Sequence, residues 1–171
     1  MLYAAQVRPE SQWRFEPLDE AAASEICGWR YPGPYAQYDI GEGAMHALLD
    51  PTNAYFAARD AQDVLVGFCC FGPDARVPGG TYDDGALDVG LGLRPDLSGK
   101  GTGRAFTRAV LVLGCDRFAP QSFRVTVAAW NTRSLRVHEQ LGFRKTGAFR
   151  RTSDDREFIQ MVEVARGCNA S

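Results

Sequence analysis

The sequence predicts one mixed α+β domain, or an α/β three-layer arrangement, around a partly antiparallel sheet. Three observations carry that expectation. The chain has 171 residues, within the range of about 100–200 usual for one domain and enough to bury a core. Its hydrophobic share of 45% and charged share of 23% suit a folded globular chain and exclude a disordered or collagen-like one. Strand-like and helix-like segments then succeed one another with no internal repeat or low-complexity linker between them.

In order, Trp13 to Leu18 reads as a first strand. Asp19 is placed to cap a helix over Glu20 to Trp29, because its short carboxylate can accept from the unpaired amides of a first turn. The run Trp29-Arg-Tyr-Pro-Gly-Pro-Tyr-Ala-Gln-Tyr38 is too rich in proline and aromatics for regular structure. A short helix fits Glu42 to Leu49, stopped by Pro51. Ala54 to Arg59 and Val64 to Phe71 read as strands paired around the turn at Asp60 to Asp63. A loop with Pro78-Gly-Gly80 and Asp83-Asp-Gly85 leads to a strand over Ala86 to Leu93.

That strand alternates Leu87, Val89, Leu91 and Leu93 on one face with Ala86, Asp88, Gly90 and Gly92 on the other. One face packs; the other is nearly bare backbone that something can approach closely. After the glycine-rich Ser98-Gly-Lys-Gly-Thr-Gly103, a helix runs to about Phe118, with Phe106, Ala109, Val110 and Leu113 in one stripe. Phe123 to Ala128 is a strand of β-branched character, and Thr132 to Leu141 is a helix ended by Gly142. Phe143 to Arg151 and Phe158 to Ala165 close the chain as strands.

Charge is divided along the chain. Residues 1–93 hold 5 Arg against 14 Asp or Glu, whereas residues 94–156 hold 13 Lys or Arg against 5 acidic residues. A basic later half suits an anionic ligand there, and an acidic earlier half a cationic one, or both are solvated faces of one domain. The five cysteines (Cys27, Cys69, Cys70, Cys115, Cys168) have no zinc-like spacing, and neither His46 nor His138 adds one, so no metal is expected and buried inert thiols are. The longest apolar run, Val64 to Phe71, falls far short of the roughly 20 residues that span a bilayer. With no secretory pattern at the N-terminus, the expected location is cytoplasmic. Neither nucleic acid nor a membrane is an expected partner; a homodimer is left open.

A strand entering a glycine-rich turn and then a helix offers unpaired amides and a helix dipole to an anion. The spacing excludes two phosphate binders. A P-loop needs a glycine five residues before Gly99 and Ser or Thr after Lys100, where the chain has Arg94 and Gly101. A dinucleotide fingerprint fails at Arg104 or Phe106, according to which glycine starts the count.

What remains, Ser98-Gly-Lys-Gly101-Thr-Gly103, resembles the (Gln or Arg)-x-x-Gly-x-(Gly or Ala) motif of the GNAT superfamily of N-acetyltransferases. A second stretch, Trp130-Asn131-Thr-Arg-Ser134-Leu-Arg-Val-His138-Glu-Gln-Leu141-Gly-Phe143, is similar to the family's Asn-x-x-Ser…Leu-Gly-Phe pattern. The resemblance runs from about Trp13 to Ala165. It implies a mixed, mostly antiparallel twisted sheet of six to seven strands with about four helices, its fourth and fifth strands splayed. It also implies acetyl-CoA as cofactor, bound by Ser98, Gly99, Lys100, Gly101, Thr102, Gly103 and Arg104. Arg133 and Arg136 would join Lys100 and Arg104 on the phosphates, and Asn131 and Ser134 would bond the pantetheine arm or cap their helix. Backbone amides around Leu91 to Leu93 would polarise the thioester oxygen.

Two departures stand out. Ser98 replaces the family's Gln or Arg, and His138 stands where many members carry a tyrosine thought to protonate the departing thiolate. A histidine, with an ordinary pKa of about 6.5, can do the same, or can simply cover the ligand from the helix surface. Asp88, where many members place a Glu, is the expected base through a water relay; otherwise it is a solvated strand residue or attracts the cation. A base matters because an alkylamine of pKa about 10.4 is neutral in less than about one part in a thousand at pH 7.

The aromatic residues Trp29, Tyr31, Tyr35 and Tyr38, with Asp39 and Glu42 nearby, lie where the family builds its acceptor pocket and suit an ammonium group by cation–π attraction. The same aromatics would also serve plain packing. The resemblance is nearest in look to the branch that acetylates ribosomal-protein N-termini; other members modify aminoglycosides, polyamines or free amino acids. A small amine or a peptide N-terminus therefore remains open as acceptor. The competing expectation is a non-catalytic acyl-CoA-binding or regulatory module on the same fold.

Overall fold

The computed structural model describes residues 12–165 and 168. Arg14–Pro17 forms β1, and Asp19 then starts α1 (Glu20–Cys27), its carboxylate accepting from the Ala22 amide at 2.8 Å. The segment expected to be irregular instead contains a 3-10 helix, Gly33–Tyr38. Pro34 sits at its start, where a fixed φ and a missing N–H do no harm. The short helix α2 (Met45–Leu49) follows, then β2 (Tyr55–Arg59), β3 (Leu65–Phe71) and β4 (Leu87–Leu93). The rest is α3 (Gly103–Phe118), β5 (Ser122–Ala128), α4 (Thr132–Gln140), β6 (Arg144–Arg150) and β7 (Glu157–Val164).

These strands make one seven-stranded sheet in the order β1-β2-β3-β4-β5-β7-β6. Every neighbouring pair is antiparallel except β4 and β5. On one face Phe106 and Val110 of α3 are fully buried against Val89, Phe123, Val125 and Met161. On the other, Ala22, Ile26 and Trp29 pack on Ala57, Leu65 and Phe68. Covered on both sides, β3 is buried at all seven positions, as a central strand must be. Gly142 takes φ +97° just past α4, the left-handed conformation that glycine adopts most readily.

The sheet is narrowly joined at one place. β4 and β5 pair only at Leu87 with Phe123 and at Asp88 with Arg124, after which they part. β3 holds the other edge of β4 as far as Leu93, and β5 pairs with β7 along its whole length. The splay that the resemblance implied is therefore present, beginning at Val89.

Two expectations about this region change. The bare face of β4 is filled by the protein itself: a Cβ on Gly90 would lie 2.8 Å from Cys70 Sγ, and one on Gly92 2.6 Å from the Phe68 ring. These glycines admit core side chains, not a ligand. Of the cysteines, Cys27, Cys69 and Cys70 are buried thiols as expected, but Cys115 and Cys168 are joined in a disulfide. Their separation of 53 residues and the odd total hid a pairing that spacing alone cannot reveal. Closing a loop of that size is worth about 2–4 kcal/mol. Reductant should lower the unfolding free energy of the native protein, read from urea titration, by that amount and leave Cys168→Ser unmoved.

Among the described residues no helix is long and apolar enough to cross a membrane.

Candidate functional site

The parting of β4 from β5 creates the first element of the site. Gly72 donates to the Asp88 carbonyl and Arg94 to the Val66 carbonyl, both at 2.9 Å, so those β4 positions face β3. Alternation then turns the amides and carbonyls of Val89, Leu91 and Leu93 toward the gap. The Leu93 carbonyl shows this directly, accepting from the Tyr31 hydroxyl at 2.7 Å. Burial pushes the Tyr31 hydroxyl up to about 12, which keeps it protonated and a donor at neutral pH.

At the end of β4 the chain makes the glycine-rich turn. Gly99 and Gly101 adopt φ +77° and +84°, and a Cβ on Gly101 would meet nothing within 4 Å. The Ser98 amide is used internally on the Arg94 and Pro95 carbonyls, and the Thr102 hydroxyl donates to the Leu97 carbonyl. Phe106 makes the first bond back into the turn, to the Thr102 carbonyl, so the amides of Gly103, Arg104 and Ala105 open outward at the N-terminus of α3. Lys100 and Arg104 are exposed beside them, as are Arg133 and Arg136 on α4.

Arg133 ties this turn to the aromatic segment. Its Nη1 lies 2.2 Å from where a Cβ of Gly99 would stand, and its guanidinium stacks 4.2 Å from the Tyr35 ring centre. Tyr35 meets Trp130 edge-on at 5.0 Å, and Tyr38 lies 6.0 Å from the same indole. Asn131 caps α4 by accepting from the Ser134 amide at 3.2 Å, and its Nδ2 donates to the Tyr38 hydroxyl at 3.0 Å. Tyr35, Tyr38, Asn131, Ser134, Arg133 and Gly99 thus form one contiguous group. Trp29 does not join it; it is buried against Phe68 in the core, where so large an apolar ring gains more than at a pocket wall.

His138 is also buried, at 4% exposure, and is not the surface cover that one reading expected. Its Nδ1–H donates to the Ser134 carbonyl at 2.8 Å, and its ring meets Phe143 edge-on. Nε2 is buried with no protein partner. Burial pushes the pKa of this imidazole down, opposed in part by the Ser134 carbonyl. At neutral pH the ring is neutral with its lone pair on Nε2, an acceptor before it is a donor. A histidine with a lowered folded pKa contributes stability that is complete above the unfolded value of about 6.5 and is lost as pH falls toward the folded one. Stability should therefore decline as the solution is acidified below pH about 6.5, and His138→Phe should remove that component of the profile.

Asp88 is not on an open face. At 3% exposure, its Oδ1 accepts from Arg124 Nε at 2.6 Å, and its Oδ2 accepts from Arg124 Nη2 at 2.9 Å and Arg76 Nε at 2.8 Å. Arg124 also bonds Asp83, and both guanidiniums lie about 5 Å from the Tyr82 ring centre. A carboxylate buried at this depth, with both oxygens held by guanidiniums, is not open to an amine or a relay water. The expected base is an ion pair that clamps β4 to β5 at their last shared register.

Sequence reasoning missed an open cleft of about 660 Å³ beside this group, lined by Pro34, Trp130, Arg150, Asp155, Arg156 and Glu157. Its volume is that of a small-molecule site. The signal was present in the β6–β7 turn, where Arg150-Arg-Thr-Ser-Asp-Asp-Arg-Glu157 crowds six charges into eight residues.

The family model described as the acetyltransferase (GNAT) domain matches residues 5–144. Among solved structures, a chimera of spermidine N-acetyltransferase from Vibrio cholerae is similar at 18% identity, covering 91% of this chain and 96% of that one, with a TM-score of 0.69. A GNAT-family acetyltransferase from Bacillus anthracis matches at 16% identity over 90% and 95%, with a TM-score of 0.69. The V. cholerae spermidine N-acetyltransferase in complex with CoA and spermine matches at 18% over 91% and 96%, with a TM-score of 0.66. No curated protein sequence matches. At such identities the structural likeness carries the fold.

Proposed function

Because the chain belongs to the GNAT acetyltransferase family, we propose that it moves an acetyl group from acetyl-CoA to a primary amine by direct attack with both substrates bound. The observation that carries this reading is the gap between β4 and β5 opening onto the bare N-terminus of α3. The residues present fit such a coenzyme. The left-handed turn has open space above Gly101, Lys100 and Arg104 are exposed in it and Arg133 lies against Gly99, and a buried imidazole nitrogen lacks a protein partner.

When bound, acetyl-CoA supplies an activated acyl group and a thiol leaving group. The amides from Gly99 to Arg104 hold its diphosphate, with Lys100, Arg104, Arg133 and Arg136 balancing the charge. One of the amides aimed into the gap, that of Leu91 or of Leu93, would donate to the thioester carbonyl oxygen. Asn131 caps α4 through the Ser134 amide and holds its head in place, and Tyr35 and Tyr38 beside it would line the acceptor side. His138 Nε2, neutral at rest, takes the proton released by the attacking amine and returns it to the departing sulfur. Asp88 holds the two strands at the angle this arrangement needs.

The test is direct. Protein, acetyl-CoA and a panel of primary amines are mixed, and free thiol is followed together with acetylated product. Thiol released in step with an N-acetyl amine supports the reading; tight coenzyme binding with no thiol across the panel defeats it. His138→Phe should then slow the single-turnover rate by about 100-fold at nearly constant coenzyme affinity, and an unchanged rate would remove His138 from the proton path.

A further inference from the structure

Resting on the acyl-transfer reading, we infer that the acceptor is a primary amine that also carries a carboxylate, held in the cleft between the 3-10 helix and the β6–β7 turn. The cleft's charges decide this. It presents two guanidiniums, Arg150 and Arg156, and two carboxylates, Asp155 and Glu157. Arg150 Nη1 donates to the Asp155 carbonyl at 2.7 Å and to its Oδ2 at 3.0 Å, which takes up that carboxylate. Arg156 Nη1 donates to Gln37 Oε1 at 2.6 Å, and its Nε lies 3.2 Å from Asp154 Oδ2.

Among the described residues, Nη2 of both guanidiniums is left without a hydrogen-bond partner and Glu157 is left outside any ion pair. Arg150 therefore keeps its Nε–Nη2 edge open, Arg156 its Nη2, and Glu157 a carboxylate. Guanidinium edges recognise carboxylates with paired, charge-assisted bonds. A single carboxylate holds one ammonium group. A polycation needs an excess of carboxylates, and here its further ammonium groups would meet Arg150 and Arg156. Pro34 and the half-exposed indole of Trp130 supply an apolar wall for the carbon chain between the two charges. The anchor is pre-set, because the Gln37–Arg156 bond ties the turn to the 3-10 helix that carries Tyr35 and Tyr38.

The experiment compares initial rates, at saturating acetyl-CoA, for a series of ω-amino acids, each against the alkylamine of equal chain length, and for spermidine. At least one amino acid should exceed its alkylamine in kcat/KM by about tenfold or more, mainly through KM, and should also exceed spermidine. In the double variant Arg150→Gln, Arg156→Gln that ratio should fall to near one. Lys145→Gln, which removes an exposed cation outside the cleft, should preserve it. Equal rates across every matched pair, a ratio untouched by the double variant, or a preference for spermidine would overturn the inference while leaving acyl transfer standing. No thiol release from any amine would retire the acyl-transfer reading, and this inference with it.

Discussion

Asp88→Asn should lower the unfolding free energy by about 3–5 kcal/mol, because it leaves buried positive charge without its counterion. The Arg124 side chain is 6% exposed and Asp88 3%, so water cannot replace the lost carboxylate. Arg76 adds a second guanidinium on the same oxygen, and the Asp83 carboxylate, 80% exposed, offsets little of the excess. The change should appear as a shift in the urea midpoint with an unchanged m-value, since the same surface is exposed on unfolding. Combining it with Arg124→Met should recover much of the loss, the signature of coupled partners. A normal midpoint accompanied by abolished turnover would instead return Asp88 to the role of base.

Gly101→Glu should weaken coenzyme binding by about 100-fold or more, close to 3 kcal/mol. Two effects combine there. The backbone sits at φ +84°, which costs an L-residue about 1–2 kcal/mol, and the new carboxylate would face the diphosphate in a turn whose amides are arranged for an anion. Gly101→Ala separates them, since it carries the same backbone strain without charge and has open space for its methyl group. Alanine should cost less than about tenfold in affinity. Titration calorimetry with CoA reads both variants; equal, small losses would place the diphosphate elsewhere on the molecule.

The elements were legible where local chemistry is decisive. Asp19 announces α1 through its cap, Gly142 ends α4 through its left-handed conformation, and the stripe through Phe106 and Val110 places α3 on the sheet. The glycine-rich turn was legible for the same reason, because positive φ selects glycine. What escaped was everything set by distant partners. Alternation put Asp88 and the two glycines after it on one face correctly, yet whether that face met solvent depended on Arg124, Cys70 and Phe68 from other elements. Trp29 and Tyr31 lie two positions apart, but one enters the core and the other reaches the β4 edge. His138 lies between Leu135 and Leu141 on the apolar stripe of α4, so periodicity turns it inward but does not show that its ring meets Phe143; the charge density of the β6–β7 turn likewise did not say which element it would face.

The two-register join between β4 and β5 also shapes how the molecule breathes. Backbone protons at the heart of a sheet usually exchange with deuterium slowly, yet those of Val89, Leu91 and Leu93 point into an opening that no neighbouring strand seals. They should exchange faster than amides on the outlying β5–β7 ladder, so the least protected stretch of the sheet lies near its middle rather than at its rim. A ligand seated in that opening would act as a missing strand and slow those same protons, leaving a footprint readable without any turnover.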